Sequence, residues 1–241
     1  MTVAILDIGN TNLKIYHIAK NKITGREIIS WKTFDVSTFI PRLENAKKVV
    51  MTSVVPDKKN ILKQLMLDAK IEVQIVGEEI KTDLAIKIEN PETLGNDRLV
   101  AAYEGYSMVQ GAAIVIDLGT ALTIDFVSIN KEFLGGIIAP GLRACANSLE
   151  VNAPLLAGYQ LFGEVNLPGK NTGQAIRSGL VYLISGGIEK VVNELKKLDP
   201  NAKIIATGGD YERIKDYLAF EAIFEPDLLA NGMIRLLKIK S

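Results

Sequence analysis

Two short phrases in this 241-residue chain bundle a carboxylate, a glycine and hydroxyl or amide groups. Asp7-Ile8-Gly9-Asn10-Thr11 lies between strand-like runs at 3–6 and 13–16, and Asp117-Leu118-Gly119-Thr120-Ala121 lies between strand-like runs at 113–116 and 122–126. Such a turn suits a phosphate and its cation. Glycine lets the backbone approach closely, and the hydroxyl, amide and N–H groups donate to phosphate oxygens. The carboxylate offsets the metal ion that accompanies a phosphate rather than the phosphate itself.

Each phrase reads as strand, turn, strand. The two aspartates stand 110 residues apart, close to half the chain. Strands are expected at 2–7, 12–19 and 24–32, a short helix at 36–45, a buried strand at 48–53, a helix from Pro56 and a strand at 71–76. Segment 77–95 reads as irregular, and Asn96 caps a helix. The pattern then restarts with strands at 113–117, 121–128 and 132–139, a helix after Pro140-Gly141, a loop at 158–171 and a long helix capped by Asn171. A strand at 203–207 and helical pieces at 211–218 and 226–238 complete it. The expectation is an α/β protein of two similar lobes, 1–111 and 112–241, with both turns facing one cleft. The plainer alternative is one α/β domain with two unrelated turns, since Asp-x-Gly is common in turns.

Composition narrows the chemistry. Lys+Arg and Asp+Glu both number 28, so no basic field points to nucleic acid. The one cysteine, Cys145, excludes an internal disulfide and suggests a reducing compartment. No basic n-region precedes the first apolar run, and no stretch approaches the roughly 20 apolar residues of a membrane span. A cytoplasmic protein without a membrane partner is expected. The single histidine, His17, alternates with apolar residues on a strand, so neither a Ser-His-Asp triad nor a zinc cluster is available. The chemistry must rest on carboxylates, Lys, Arg, backbone dipoles and hard cations.

Four further pieces accompany the turns. They are Asn90-Pro91-x-x-Leu94-Gly95-Asn96-Asp97-Arg98, the extension Leu122-Thr123-x-Asp125, the run 135–141 (Gly-Gly-Ile-Ile-Ala-Pro-Gly), and Gly169-Lys170-Asn171-Thr172. The last is not a P-loop, because five residues separate Gly163 from Gly169 and Asn171 follows Lys170. The paired turns resemble the superfamily of sugar kinases, actin and heat-shock chaperone ATPases. The ordered set, from Asp7 to Thr207-Gly208-Gly209, resembles the type III pantothenate kinases. The resemblance implies two ribonuclease-H-like lobes with mixed sheets flanked by helices, in an actin-like, sugar-kinase-like duplicated fold. It implies ATP-dependent phosphorylation of pantothenate, the first step of coenzyme A synthesis.

The resemblance also implies roles. Asp7, Ile8, Gly9, Asn10, Thr11, Asn12, Leu13 and Lys14 embrace the ATP phosphates, and Asp7 holds magnesium, through water. Thr120 contacts nucleotide, and Asp117 holds a monovalent cation, potassium or ammonium. Gly95, Asn96, Asp97, Arg98 and Thr172 contact pantothenate, with Asp97 the catalytic base, in a homodimer. The chemistry is consistent: phosphoryl transfer needs charge neutralisation and positioning more than covalent help. A guanidinium such as Arg98 suits the pantothenate carboxylate. Plainer readings stand beside these. An acidic residue such as Asp97 stabilises a first helical turn without any function, and Thr172 also fits as a helix start. Relatives commonly carry tyrosine where this chain has Ile88, so the substrate contact made by that tyrosine is absent here or supplied elsewhere. Gly179, Gly186 and Gly187 inside the long helix suggest a close dimer contact there. The competing functions are a kinase for another small alcohol or sugar and a non-catalytic regulatory or accessory protein.

Overall fold

Strand β1 (Val3–Ile8) is apolar on both faces because it lies inside a sheet; only Asp7, near its end, breaks the run. In the computed structural model, which describes residues 2–239, β1 pairs antiparallel with β2 (Asn12–Ala19), which pairs antiparallel with β3 (Lys22–Ser30). Lys20 and Asn21, both at positive φ, form the β2–β3 turn, so β3 starts earlier than the expected 24. β4 (Lys48–Ser53) and β5 (Glu72–Ile75) extend the sheet in parallel, giving the order β3-β2-β1-β4-β5. Strand alternation sends Ala4, Leu6 and Ile8 to one face. There they join Leu13, Ile15, Phe39 and Met51 and the buried Leu62 and Met66 of α1 (Pro56–Asp68) in a core. The expected helix at 36–45 is instead two 3₁₀ turns, Val36–Thr38 and Pro41–Leu43. Pro41 has no N–H to continue a helix, and Glu44 and Asn45 at positive φ end the segment.

The two-residue strand β6 (Ala85–Ile86) and the helix α2 (Asn96–Val109) lead to β7 (Ala113–Leu118). β7, β8 (Ala121–Val127) and β9 (Glu132–Pro140) form a second antiparallel meander. The helices α3 (Leu142–Asn152) and α4 (Thr172–Leu195) follow, then β10 (Lys203–Thr207) parallel to β7 and β11 (Ile223–Phe224) parallel to β10. The sheet order β11-β10-β7-β8-β9-β6 repeats the first sheet's plan, with β6 added at the edge. Ile114, Ile116, Leu118, Leu122 and Ile124 of its core face pack against Leu180, Val181, Ile188 and Val192 of α4. The piece expected as helix at 211–218 is two 3₁₀ turns, Tyr211–Arg213 and Lys215–Tyr217. Asn171 caps α4 as expected, accepting from the Gln174 N–H at 2.9 Å.

Two compact units result: Met1–Ala85, Glu89–Glu104 and Asp227–Ser241 make the first, and Ile86–Ile88 with Gly105–Pro226 the second. The division read from sequence falls at 111/112 instead. The difference has two sources. Within the second unit Gly105 packs so close to β7 that a Cβ there would lie 2.5 Å from Val115 Cγ2. Within the first, the C-terminal helix α5 (Leu228–Ile239) returns to pack on β1. Gly232 of α5 lies against α2, where a Cβ would fall 2.7 Å from Val100 Cγ1 and 3.0 Å from the Val100 carbonyl oxygen. Arg235 of α5 holds the buried Glu104 carboxylate through two bonds, 2.6 and 2.9 Å.

Candidate active site

The first turn is set by strand register. Across β1 and β2, Asp7 pairs directly with Lys14 and Ile8 with Leu13, and the Gly9 N–H donates to the Asn12 carbonyl at 3.0 Å. Ile8 and Leu13 point into the core, so Asp7 and Lys14 share the other face, where Lys14 Nζ lies 3.0 Å from Asp7 Oδ2. Asn10 and Thr11 form the exposed tip. Behind it, consecutive carbonyls are all engaged. Ile8 accepts from the Val54 N–H at 3.2 Å and Gly9 from Trp31 Nε1 at 2.7 Å. Asn10 accepts from Lys58 Nζ at 3.4 Å and Thr11 from the Trp31 N–H at 3.1 Å.

Asp97 stands in the first turn of α2, and its Oδ1 accepts the Arg98 N–H at 2.8 Å. Burial pushes the Asp97 carboxyl above the usual carboxylate range. The negative charge of Asp7 adds to that push, while the Arg98 N–H and guanidinium oppose it. Gly95 makes the space: a Cβ there would sit 2.5 Å from Asp97 Oδ1. Asn96 lies over Gly77, whose φ of +92° and bare Cα both require glycine. The first unit therefore couples the Asp7–Lys14 turn electrostatically to a carboxyl that binds its proton more tightly than a free aspartate. A group of this kind is a functional-site candidate on physical grounds.

The second turn is one residue shorter. Leu118 pairs with Leu122, and the Gly119 N–H closes onto the Ala121 carbonyl at 3.0 Å. Asp117 faces Thr123 on β8 and Thr207 on β10, where Asp7 faces a lysine. Gly208, at φ +96°, packs so near that a Cβ would lie 2.6 Å from Asp117 Oδ1. The Asp210 N–H donates to the Leu118 carbonyl at 3.1 Å, and its buried carboxylate pairs with Arg143 and Arg213. Thr120 is exposed at the tip, and Thr172 is exposed at the start of α4. Ile88 packs toward Gly135, whose Cβ would lie 3.5 Å from Ile88 Cγ2.

Of the residues singled out in the sequence, Asp7–Lys14 and Gly95–Arg98 fall in the first unit, and Asp117, Thr120 and Thr172 in the second. Trp31 and Lys58 were not singled out. Their approach to the turn follows from the Asn12–Ser30 pairing and from α1, neither of which leaves a local motif. Among the described residues, no three His, Cys, Asp or Glu side chains gather as a metal-binding group. A lone half-buried carboxylate such as Asp7 suits a magnesium ion that keeps waters and takes phosphate oxygens.

The profile of the type III pantothenate kinases matches residues 4–194. The chain belongs to the type III pantothenate kinase family. The family's enzyme from Agathobacter rectalis is 32% identical over 246 residues, covering 96% of this chain and 95% of that protein. Among solved structures, a Campylobacter jejuni protein described as a Baf family transcriptional activator superposes with TM-score 0.66 at 24% identity, over 98% of both chains. An archaeal actin homologue, Ta0583, gives 0.56 at 11% identity, over 99% of this chain and all of that one. These likenesses establish the duplicated actin-like fold that the sheet orders display.

Proposed function

We propose that the chain transfers the γ-phosphoryl group of ATP to the 4′-hydroxyl of pantothenate, the first committed chemistry toward coenzyme A. The reading rests on the family match over residues 4–194, and the structure adds Asp97 in the first turn of α2, its carboxyl held above the ordinary value by burial and by the charge of Asp7. A primary hydroxyl attacking phosphorus must shed its proton, and Asp97 accepts it at a carboxylate oxygen. In a loose transition state that transfer is late, so Asp97 also orients the hydroxyl. A positioned base contributes about 10²–10⁴-fold.

The turn at 7–14 holds the phosphates through its N–H and side-chain donors, with Lys14 supplying positive charge. Asp7 would hold, through water, the magnesium ion that accompanies ATP, and that ion would neutralise phosphate charge. Thr120 contacts nucleotide. Gly95, Asn96, Arg98 and Thr172 bind pantothenate, the Arg98 guanidinium donating to the pantothenate carboxylate. Asp117 would hold the monovalent cation, potassium or ammonium. Its half-buried carboxylate beside the bare Cα of Gly208 suits a large ion of low charge density. Replacing potassium by sodium should then lower turnover, and indifference to the swap would remove that role.

Two coarser features complete the reading. Gly179, Gly186 and Gly187 on α4 have open space where a Cβ would stand, and Leu183 is 78% exposed. This face supports a homodimer. No helix among the described residues is long and apolar enough to cross a membrane, which is compatible with a cytoplasmic site of action. The test is ATP turnover against a panel of acceptors. Pantothenate should be the strongest, and a panel in which only a sugar or another alcohol reacts would replace it. The presence of Asp7, Lys14, Asp97 and Asp117 together favours an enzyme over a regulatory homologue.

A further inference from the structure

The Trp31 side chain lies behind the first turn rather than at its surface. Its Nε1–H donates to the Gly9 carbonyl at 2.7 Å, and its own backbone N–H donates to the Thr11 carbonyl at 3.1 Å. Phe34 meets the indole edge-on at 5.1 Å and meets the buried Phe39 at 6.1 Å, so an aromatic chain ties Trp31 to the core. On the ring itself rests the Lys58 ammonium, 4.1 Å from the centroid and 3.4 Å from the Asn10 carbonyl.

Peptide planarity gives these contacts a consequence. In a trans peptide the C=O and the following N–H point in opposite directions. Drawing the Gly9 carbonyl onto Trp31 therefore turns the Asn10 N–H to the opposite side. A carbonyl facing a phosphate would repel it, whereas an N–H attracts it.

We propose that Trp31 is a positioning residue of the nucleotide site, fixing the phosphate-binding turn from behind together with Lys58, which it seats against the Asn10 carbonyl. This deepens the kinase reading and rests on the ATP phosphates lying at residues 7–14. Trp31 is the chain's single tryptophan, so its fluorescence reports this turn alone.

The experiment has two arms. In the wild-type protein, MgATP is titrated without pantothenate and followed by both calorimetry and Trp31 emission. Both should saturate at the same concentration. Steady-state kinetics are then measured for Trp31→Phe, which keeps an aromatic ring but removes the Nε1 donor. Loss of one such bond should raise the ATP KM about fivefold while the pantothenate KM stays unchanged. Lys58→Met should also raise the ATP KM selectively. Calorimetric binding with silent emission would overturn the Trp31 role alone. So would a Trp31→Phe protein whose melting temperature falls but whose ATP KM does not move. Absence of any MgATP binding would overturn the kinase reading together with this proposal.

Discussion

Lys14 stands directly opposite Asp7 across the β1–β2 ladder, with its Nζ 3.0 Å from Asp7 Oδ2. The equivalent aspartate of the second unit, Asp117, faces Thr123, so the ion pair is not part of the duplicated plan. One turn has acquired a cation where the other has a hydroxyl. That difference is the basis for proposing that phosphate neutralisation falls to the first turn.

Lys14→Met should therefore raise the ATP KM by about tenfold or more, the scale of one charge-assisted contact. Its melting temperature should barely move. The Lys14 side chain is 38% exposed and that of Asp7 13%, and a partly exposed pair of this kind contributes about 1 kcal/mol to folding. Steady-state kinetics beside a thermal melt separate the two effects. A large loss of stability with an unchanged ATP KM would make Lys14 a structural residue.

Asp97 should titrate above the ordinary aspartate value, because burial and the charge of Asp7 both oppose its ionisation. The acid limb of the pH–rate profile should lie correspondingly high. The sign for stability follows. A carboxyl whose folded pKa is raised stabilises while protonated, and that contribution is lost as pH rises from the unfolded value through the folded one. At pH 7 the charge is thus a cost to folding. Asp97→Asn should melt no lower than wild type, still bind MgATP, and lose at least about a hundredfold in turnover. Carboxyl-carbon NMR on the free protein checks the titration directly. In Asp7→Asn the Asp97 resonance should titrate lower, and an unchanged value would sever the two residues.

Gly232→Ala tests how α5 is joined to the first unit. The new methyl would meet Val100 Cγ1 at 2.7 Å and the Val100 carbonyl oxygen at 3.0 Å, and backbone cannot yield as a side chain can. Overpacking of this kind costs about 1–3 kcal/mol, more than the helix gains from replacing glycine. Chemical denaturation should show the loss. A neutral or stabilised variant would mean that α5 packs less tightly on α2 than this.

The α4 face yields a prediction of oligomeric state. Leu183→Arg places a charge on an exposed apolar position without touching the core side of the helix, where Leu180, Ile188 and Val192 pack. Sedimentation at micromolar concentration should show a dimer in the wild type and a smaller species in the variant. A wild-type monomer would remove the homodimer from the account.

Much of this was legible in the sequence for a physical reason. Buried strands must be apolar, so 3–6 and 113–116 announced themselves, and the repeated turn between strands signalled a duplicated fold. Elements too short for periodicity left no trace, as with β6 and β11. The helix expected at 36–45 failed at Pro41, whose missing N–H divides the segment into two 3₁₀ turns. In the site, Asp7 and Asp97 were identified separately. Their electrostatic coupling was not, because it depends on the tertiary packing of the first unit. Trp31 was hidden for the same reason, as only the β2–β3 register brings it to Gly9.

The most direct test is phosphorus NMR of a reaction holding the protein, MgATP, potassium and pantothenate, with the Asp97→Asn protein run in parallel. The account predicts a new phosphomonoester resonance matching 4′-phosphopantothenate, formed in step with ADP by the wild type and nearly absent for the variant. ADP formation without that resonance, or equal product from both proteins, would contradict it.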